Sequence, residues 1–182
     1  MTMLTILLCL ASVIVIQRLS ELYLAERNRA HALSRGGKEF GREHYRAFVL
    51  LHSAWIVAWC VEGWYSVHDS ELWKHSYTLE SICSYICGLL FLAAQVLRYW
   101  AIVSLGYAWN TRVIVVPGEE RVCAGPYRYW KHPNYLAVAI EIAAVPMIVF
   151  AWKTAIVASL VNAVLLLAIR IPIEERALQE LK

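Results

Sequence analysis

The side chains best suited to chemistry crowd into two strings of the chain. One is Gly125-Pro126-Tyr127-Arg128-Tyr129-Trp130-Lys131-His132-Pro133-Asn134-Tyr135, and the other is Arg170-Ile171-Pro172-Ile173-Glu174-Glu175. Together they hold an imidazole, carboxylates, phenols and guanidinium groups, a set that can bind a charged ligand, orient an anion or move a proton. Two prolines stiffen the first string. Pro133 is expected at or near the first turn of a helix, where its missing N–H costs nothing. Pro172 is expected to loosen or kink a helix and leave backbone groups open. Arg170 and Glu174 stand at helical i, i+4 spacing on one face.

The elements that must position these strings are apolar. Hydrophobic residues make up 60% of the 182 residues and charged ones 17%. Soluble domains run nearer about 45 to 50% and about 25%. That balance excludes a disordered chain and points to a bilayer as solvent. A mild net charge of +3, with no long basic run, excludes a nucleic-acid partner. Eight tryptophans and ten tyrosines suit interfacial belts.

Runs of roughly 20 apolar residues predict an all-α, multi-pass membrane protein with about five spans: 3–24, 47–66, 79–105, 135–152 and 154–173. The last two form a tight C-terminal hairpin. The first span has no basic leader and no clear cleavage site, and is expected to be retained. With no repeat, linker or low-complexity stretch, residues 1–182 read as one domain.

Of the seventeen basic residues, Arg27, Arg29, Arg35, Lys38, Arg42 and Arg46 fill the first loop, Arg112, Arg121, Arg128 and Lys131 the third, and Arg176 and Lys182 the tail. Arg18, Arg98 and Arg170 lie inside spans near the same side, which leaves Lys74 and Lys153 opposite. The excess of positive charge places that side in the cytoplasm, with the N-terminus outside and the C-terminus inside. If the hairpin turns near Trp152 and Lys153, Tyr135 comes level with Arg170 and Lys131 with Glu174. The two strings then meet at the cytoplasmic mouth of one hairpin. They form either a pocket or a structural ion pair with His132 and the tyrosines as interfacial anchors.

Gly-Pro-Tyr-x-x-x-Lys-His-Pro-x-Tyr, followed after a hairpin by Arg-Ile-x-x-Glu-Glu, resembles the signature of the isoprenylcysteine carboxyl methyltransferase family of integral membrane enzymes. Arg18 and Glu21 in the first span, with Trp109-Asn110-Thr111-Arg112 in the third loop, resemble its short prokaryotic branch. The resemblance implies that S-adenosyl-L-methionine binds as methyl donor at the cytoplasmic side, and that its methyl group passes to a lipid-bearing acceptor arriving from the bilayer. Val122, Tyr127 and the run His132, Pro133, Asn134, Tyr135 resemble the family's cofactor-binding segment. Glu174 resembles its cofactor-binding glutamate and Arg170 its substrate-contacting arginine. Lys131 departs from the usual arginine before His-Pro, keeping the charge without the planar fork. No G-x-G-x-x-G follows a strand, in keeping with a fold unrelated to the soluble methyltransferases.

Methyl transfer from a sulfonium is an in-line displacement, and the protein's task is to align three atoms and exclude water. No metal is required. A carboxylate acceptor is already ionised at neutral pH and Arg170 would orient it. A phenolic or pyrone lipid, the alternative acceptor, has to lose a proton, and Glu141 or His132 would be its base. Glu141, about two turns into the fourth span, must pair or be neutral: it is either the acceptor-side base, an arginine's partner, or a buried hydrogen-bonding group. Asn162 is expected to cross-link the last two helices. The five cysteines, including Cys83 and Cys87 at i, i+4, read as small hydrophobes. A non-catalytic scaffold or transporter would spread its polar residues along a path through the bilayer, whereas here all but Glu62 and Asn162 cluster on one side.

Overall fold

The computed structural model describes residues 3–68 and 77–180, so Lys74, expected on the outer side, lies outside the described residues. The helices are α1 (Met3–Ser34), α2 (Tyr45–His68), α3 (Tyr77–Leu105), α4 (Pro133–Ile148) and α5 (Trp152–Val164). A π-helical turn (Leu165–Arg170) then leads directly into α6 (Ile171–Glu180). The expected all-α membrane architecture and C-terminal hairpin are present. Among the described residues, four stretches are long and apolar enough to cross a bilayer: Met3–Ser34, Arg42–Ser66, Ser81–Ala108 and Trp152–Gln179. The fourth expected span is the exception. With 16 residues α4 reaches only about 24 Å, short of a hydrocarbon core of about 30 Å.

The expected boundary at residue 152 is corrected because the chain turns earlier, at Val149–Ala151. Phe150 adopts φ 60, and the amides of Val149 and Ala151 both donate to the Pro146 carbonyl. Tyr135 still meets Arg170. The π turn spends one more residue per turn than an α-helix, and the two long side chains cover the remaining offset. At the other end, α1 overruns its expected limit at Leu24 by ten residues, since helix-forming residues continue until Gly36 and Gly37. Gly36 takes φ 81 and the Gly37 amide bonds the Ala32 carbonyl, which ends the helix.

Burial is inverted relative to a water-soluble bundle. Ile16, Leu19, Val96, Val103, Leu160 and Leu167 are exposed, while Gln17, Glu21, Asn28, Arg98, Glu141 and Asn162 are buried. Polar groups face inward because hydrocarbon cannot satisfy them. The apolar core joins Ile14, Trp55, Trp59, Ile142, Val145 and Val149. Apolar on every side, α4 packs chiefly between α3 and α5. Trp55 Nε1 donates to the Ile142 carbonyl at 3.1 Å and Ser84 Oγ to the Ile148 carbonyl at 2.9 Å, which ties α4 to α2 and α3. Away from the mouth, Glu62 caps α5, accepting from the amides of Lys153 at 3.0 Å and Thr154 at 2.8 Å and from Thr154 Oγ1 at 2.7 Å. That cap accounts for the Glu62 carboxylate at the end away from the mouth.

The loop-rich end is held by contacts that sequence periodicity does not announce. Strands β1 (Lys38–Phe40) and β2 (Val113–Val115) pair antiparallel, Lys38 opposite Val115 and Phe40 opposite Val113. Asn28 Nδ2 donates to the carbonyls of Gly106 at 3.0 Å and Trp109 at 2.8 Å, and Asn110 Nδ2 returns a bond to the Ala25 carbonyl at 2.9 Å. Arg112 bonds Glu39 at 2.6 Å and lies 4.0 Å over the Tyr45 ring. The first and third loops are thereby clamped together above the bundle.

Candidate functional site

Glycine, proline and helix start combine to seat the first chemistry-bearing string. Gly125 has φ 56, and a Cβ there would come within 2.0 Å of Ser104 Oγ and 2.9 Å of Trp100 Nε1, so only glycine lets this turn lie flush on α3. Pro126 is buried in the 3₁₀ turn Gly125–Arg128, which carries Tyr127. Pro133 opens α4, as expected, and His132 is its N-cap. The His132 carbonyl accepts from the amides of Tyr135 at 3.1 Å and Leu136 at 3.2 Å, leaving the imidazole free of capping duty. That ring stacks on Tyr135 with centroids 5.3 Å apart.

The second string arrives on the π turn and α6. Arg170 Nε donates to the Tyr135 hydroxyl at 2.9 Å, and the same hydroxyl donates to the Glu174 carboxylate. His132 Nδ1 lies 3.7 Å from Glu174 and Nε2 3.7 Å from Glu175, beyond hydrogen-bond reach. Arginine, phenol and carboxylate therefore form one chain, with the imidazole stacked alongside. Among the buried atoms here, His132 Nε2 and Asn134 Oδ1 have no hydrogen-bond partner, which leaves them available to a ligand.

Two cavities meet at this chain. The first, about 930 Å³ counted to its open rim, lies at the loop-rich end and is lined by Val122, Tyr127, Lys131, His132, Asn134, Tyr135, Arg170 and Glu174, with β2 along one side. The second, about 960 Å³ on the same measure, runs down among α1, α2, α3 and α4 and is mostly apolar, lined by Leu22, Phe48, Val49, Ile56, Val138 and Leu166 with Arg18, His52 and Arg98. Trp109, Asn110, Asn134, Tyr135 and Arg170 belong to both.

Below the meeting point sits a buried cluster of charges that borders the second cavity through Arg18, Glu21 and Arg98. Arg98, 2% exposed, bonds Glu21 at 3.1 Å and pairs with Glu141, which is fully buried. Arg18 bonds Glu21 at 2.8 Å and lies 3.1 Å from Glu141, while Gln17 Nε2 donates to Glu21 at 3.0 Å. Two guanidinium groups and two carboxylates neutralise one another, which meets the cost of burying each.

Of the residues expected at the site, Val122, Tyr127, His132, Asn134, Tyr135, Arg170 and Glu174 line the first cavity. Pro133 lines neither cavity and serves as the buried helix start. Glu141 lines neither cavity and is an arginine's partner, held between Arg98 and Arg18 where it has no access to an acceptor's proton. The cross-link expected of Asn162 is absent: its buried Oδ1 has no hydrogen-bond partner. Sequence reasoning missed Arg98, taken for an end-of-span residue, and His52. A signal for the former existed. Arg98 lies about two turns from the end of α3 and Glu141 about two turns from the start of α4, so the two share a depth.

Two groups outside the spans have displaced pKa values. Burial and the Glu174 carboxylate push the Tyr127 phenol up against the opposing pull of Arg121, so it is a neutral hydroxyl at physiological pH. Burial works against the charge of Glu39, but Arg112, Arg29 and Arg42 outweigh it and hold this carboxyl below its ordinary value.

Comparison with known proteins follows the same residues. The sequence model of the isoprenylcysteine carboxyl methyltransferase family matches residues 86–180, from α3 through α6. Over 171 residues the chain is 35% identical to the uncharacterized protein YpbQ of Bacillus subtilis (strain 168), an alignment covering 94% of this chain and 95% of that one. No solved structure matches.

Proposed function

Because the chain belongs to the isoprenylcysteine carboxyl methyltransferase family, and is on that ground a membrane methyltransferase, we propose that it transfers a methyl group from S-adenosylmethionine to an oxygen of a lipid-bearing acceptor. The observation that carries this reading is the meeting of a cavity of mixed, partly charged lining and a mostly apolar one at Arg170 and Tyr135. A water-soluble donor and a lipid acceptor need separate entrances and one shared contact point.

The residues of the first cavity fit the donor. Glu174 suits its ammonium group or ribose hydroxyls, and the unpartnered His132 Nε2 and Asn134 Oδ1 supply further polar contacts. Val122 and the neutral Tyr127 form an apolar and hydroxyl-bearing wall. When bound, S-adenosylmethionine supplies a methyl group activated by its sulfonium. The chain's own work is positional: Tyr135, held from both sides by Arg170 and Glu174, fixes the boundary between the cavities. Of its hydrogen-bonding groups Arg170 commits only Nε to that boundary, so the rest of the guanidinium can orient the acceptor's oxygen. The apolar second cavity excludes water from the reacting atoms.

The excess of basic residues at the loop-rich end supports a cytoplasmic mouth with the N-terminus outside. Single cysteines at Arg35 and Lys153 should label from opposite faces of sealed vesicles, and labelling from one face would overturn that orientation. The function itself is tested in lipid nanodiscs: calorimetric binding of S-adenosylhomocysteine, together with labelled methyl entering a lipid-soluble product. No heat of binding would remove the donor. Binding without incorporation into either a prenylcysteine or a long-chain phenol would remove the proposed acceptor classes.

A further inference from the structure

The chain between β2 and the Gly125 turn, residues 116–124, forms no helix or strand, yet it borders the first cavity through Val116, Glu119, Glu120 and Val122. Resting on the reading of that cavity as the donor site, we propose that this strap is a lid, fastened by two polar ties, that lifts each time the donor enters and its spent product leaves. Pro117 and Gly118 make its bend. The Glu119 amide donates to the Val116 carbonyl at 3.2 Å, and Gly118 takes φ 78, the left-handed position that a turn with proline before glycine requires. A Cβ on Gly118 would meet nothing within 4 Å, and residues 117–121 are all exposed, so the bend stands clear of the protein beneath it.

The strap is anchored at its ends and loose between them. Before it, Val113–Val115 pairs with β1; after it, Pro126 is buried. In between, Val116, Glu119, Glu120 and Val122 also line a further cavity, which His31 and Arg35 near the end of α1 share with Tyr107. With open space on both faces, the strap has little to pack against. Two side-chain ties cross from it to neighbouring segments. Glu119 pairs with Arg35, just past the end of α1, and both side chains are exposed. Arg121 Nη2 donates to the Lys131 carbonyl at 2.8 Å, one residue before His132, and this bond too is exposed. Exposed ties of this kind are weak, which suits a closure that has to give way.

A methyl donor is consumed in the transfer, so its demethylated product has to leave and a fresh donor enter in every turnover. A closed strap keeps water from the sulfonium, and its opening sets the rate of exchange. A lid and a ligand contact differ kinetically. Ties that hold the strap down over both the empty and the filled cavity set the open fraction of each, so weakening one tie quickens association and dissociation by the same factor and leaves affinity unchanged. Loss of a residue that touches the donor raises dissociation alone and weakens binding. Arg35 is the residue that separates the two cases, because it borders the further cavity and not the first.

The experiment follows S-adenosylhomocysteine binding to the full chain in nanodiscs by stopped-flow tryptophan fluorescence, Trp109 bordering the first cavity. Arg35→Ala should quicken association and dissociation together by about two- to fivefold, and Arg35→Glu, which sets a like charge against Glu119, by more. The swapped pair, Arg35→Glu with Glu119→Arg, should return both rates toward the wild type. Amide exchange over residues 118–122 should be faster in Arg35→Ala than in the wild type and be slowed by S-adenosylhomocysteine in both, with the α4 amides unchanged. Rates indifferent to Arg35→Glu would overturn the proposal, as would dissociation that rises alone with a matching loss of affinity. Failure of the wild type to bind S-adenosylhomocysteine would instead defeat the donor reading. Exchange in the ligand-free protein still tests the fastening in that case, and strap amides indifferent to Arg35→Ala would remove the lid as well.

Discussion

Two arginine–glutamate constellations stand one above the other in this bundle and differ in charge balance and in the cavities they border. In the lower one, Arg18, Arg98, Glu21 and Glu141 neutralise one another, and Arg98 and Glu141 are closed to solvent. In the upper one, Arg170, Tyr135 and Glu174 are bonded in a line, but His132 Nε2 and Asn134 Oδ1 stay unpartnered and both cavities border the group. The same residue types therefore serve two ends. The lower cluster joins three helices and balances two cations against two anions, while Arg18, Glu21 and Arg98 border only the second cavity. The upper one retains the capacity to bind. Identity and charge alone would not have separated them.

The contrast is broken most severely at Arg98. Arg98→Ala strands Glu21 and Glu141 without their main partner and should cost about 3 to 5 kcal/mol, read as a large loss of thermal stability in nanodiscs. Replacing both members, Arg98→Met with Glu141→Leu, should recover much of that loss, because the Arg18–Glu21 pair remains balanced. A double variant no more stable than Arg98→Ala would mean that the cluster is more than a structural tie.

At the upper site the effect should fall on binding instead. Glu174→Gln removes a charged partner worth about 1.5 to 3 kcal/mol, so the affinity for S-adenosylhomocysteine should drop roughly ten- to a hundredfold while the melting temperature hardly moves. If stability falls and affinity does not, the upper constellation is as structural as the lower. Tyr135→Phe is a finer cut. It removes the hydroxyl that links Arg170 to Glu174 through two hydrogen bonds, each worth about 1 kcal/mol, and both kcat and the affinity for S-adenosylhomocysteine should fall by about tenfold.

The smallest effect belongs to the clamp over the mouth. Glu39 is held below its ordinary value of 4.5, so its contribution is fully present above that pH and is lost as pH falls through the lowered folded value. Hydrogen exchange at the β1 and β2 amides should quicken only in that acidic window. In Glu39→Gln the exchange should lose its acid dependence, and acid dependence that survives the substitution would assign it to another group.

Much of the upper site was legible in the chain. Gly125, Pro126 and Pro133 act within their own few residues, where backbone sterics decide the conformation, and the i, i+4 spacing of Arg170 and Glu174 is a property of any helix. Antiparallel hairpin geometry then brought Tyr135 near Arg170, with the π turn and the two long side chains making up for the earlier turn. The apolar runs likewise settled the class of protein, since about 20 such residues have few other places to go than a bilayer. What the chain could not announce depended on long-range pairing. Strands of three residues have no measurable period, so the β1–β2 ribbon that closes the mouth emerges only when the first loop meets the third.

Arg98 and His52 illustrate the same limit from the side-chain direction. Each looks ordinary along its own helix, a cation near a span's end and a histidine amid apolar neighbours. Only the rotation of α3 toward α1 and α4 gives Arg98 two carboxylates, and only the face that α2 turns inward sets His52 on the second cavity. Local sterics and solvent transfer act on each segment separately and can be read from residue order. The azimuth of one helix against another is set by packing among all of them, and whether a buried charge is sealed or open is decided there.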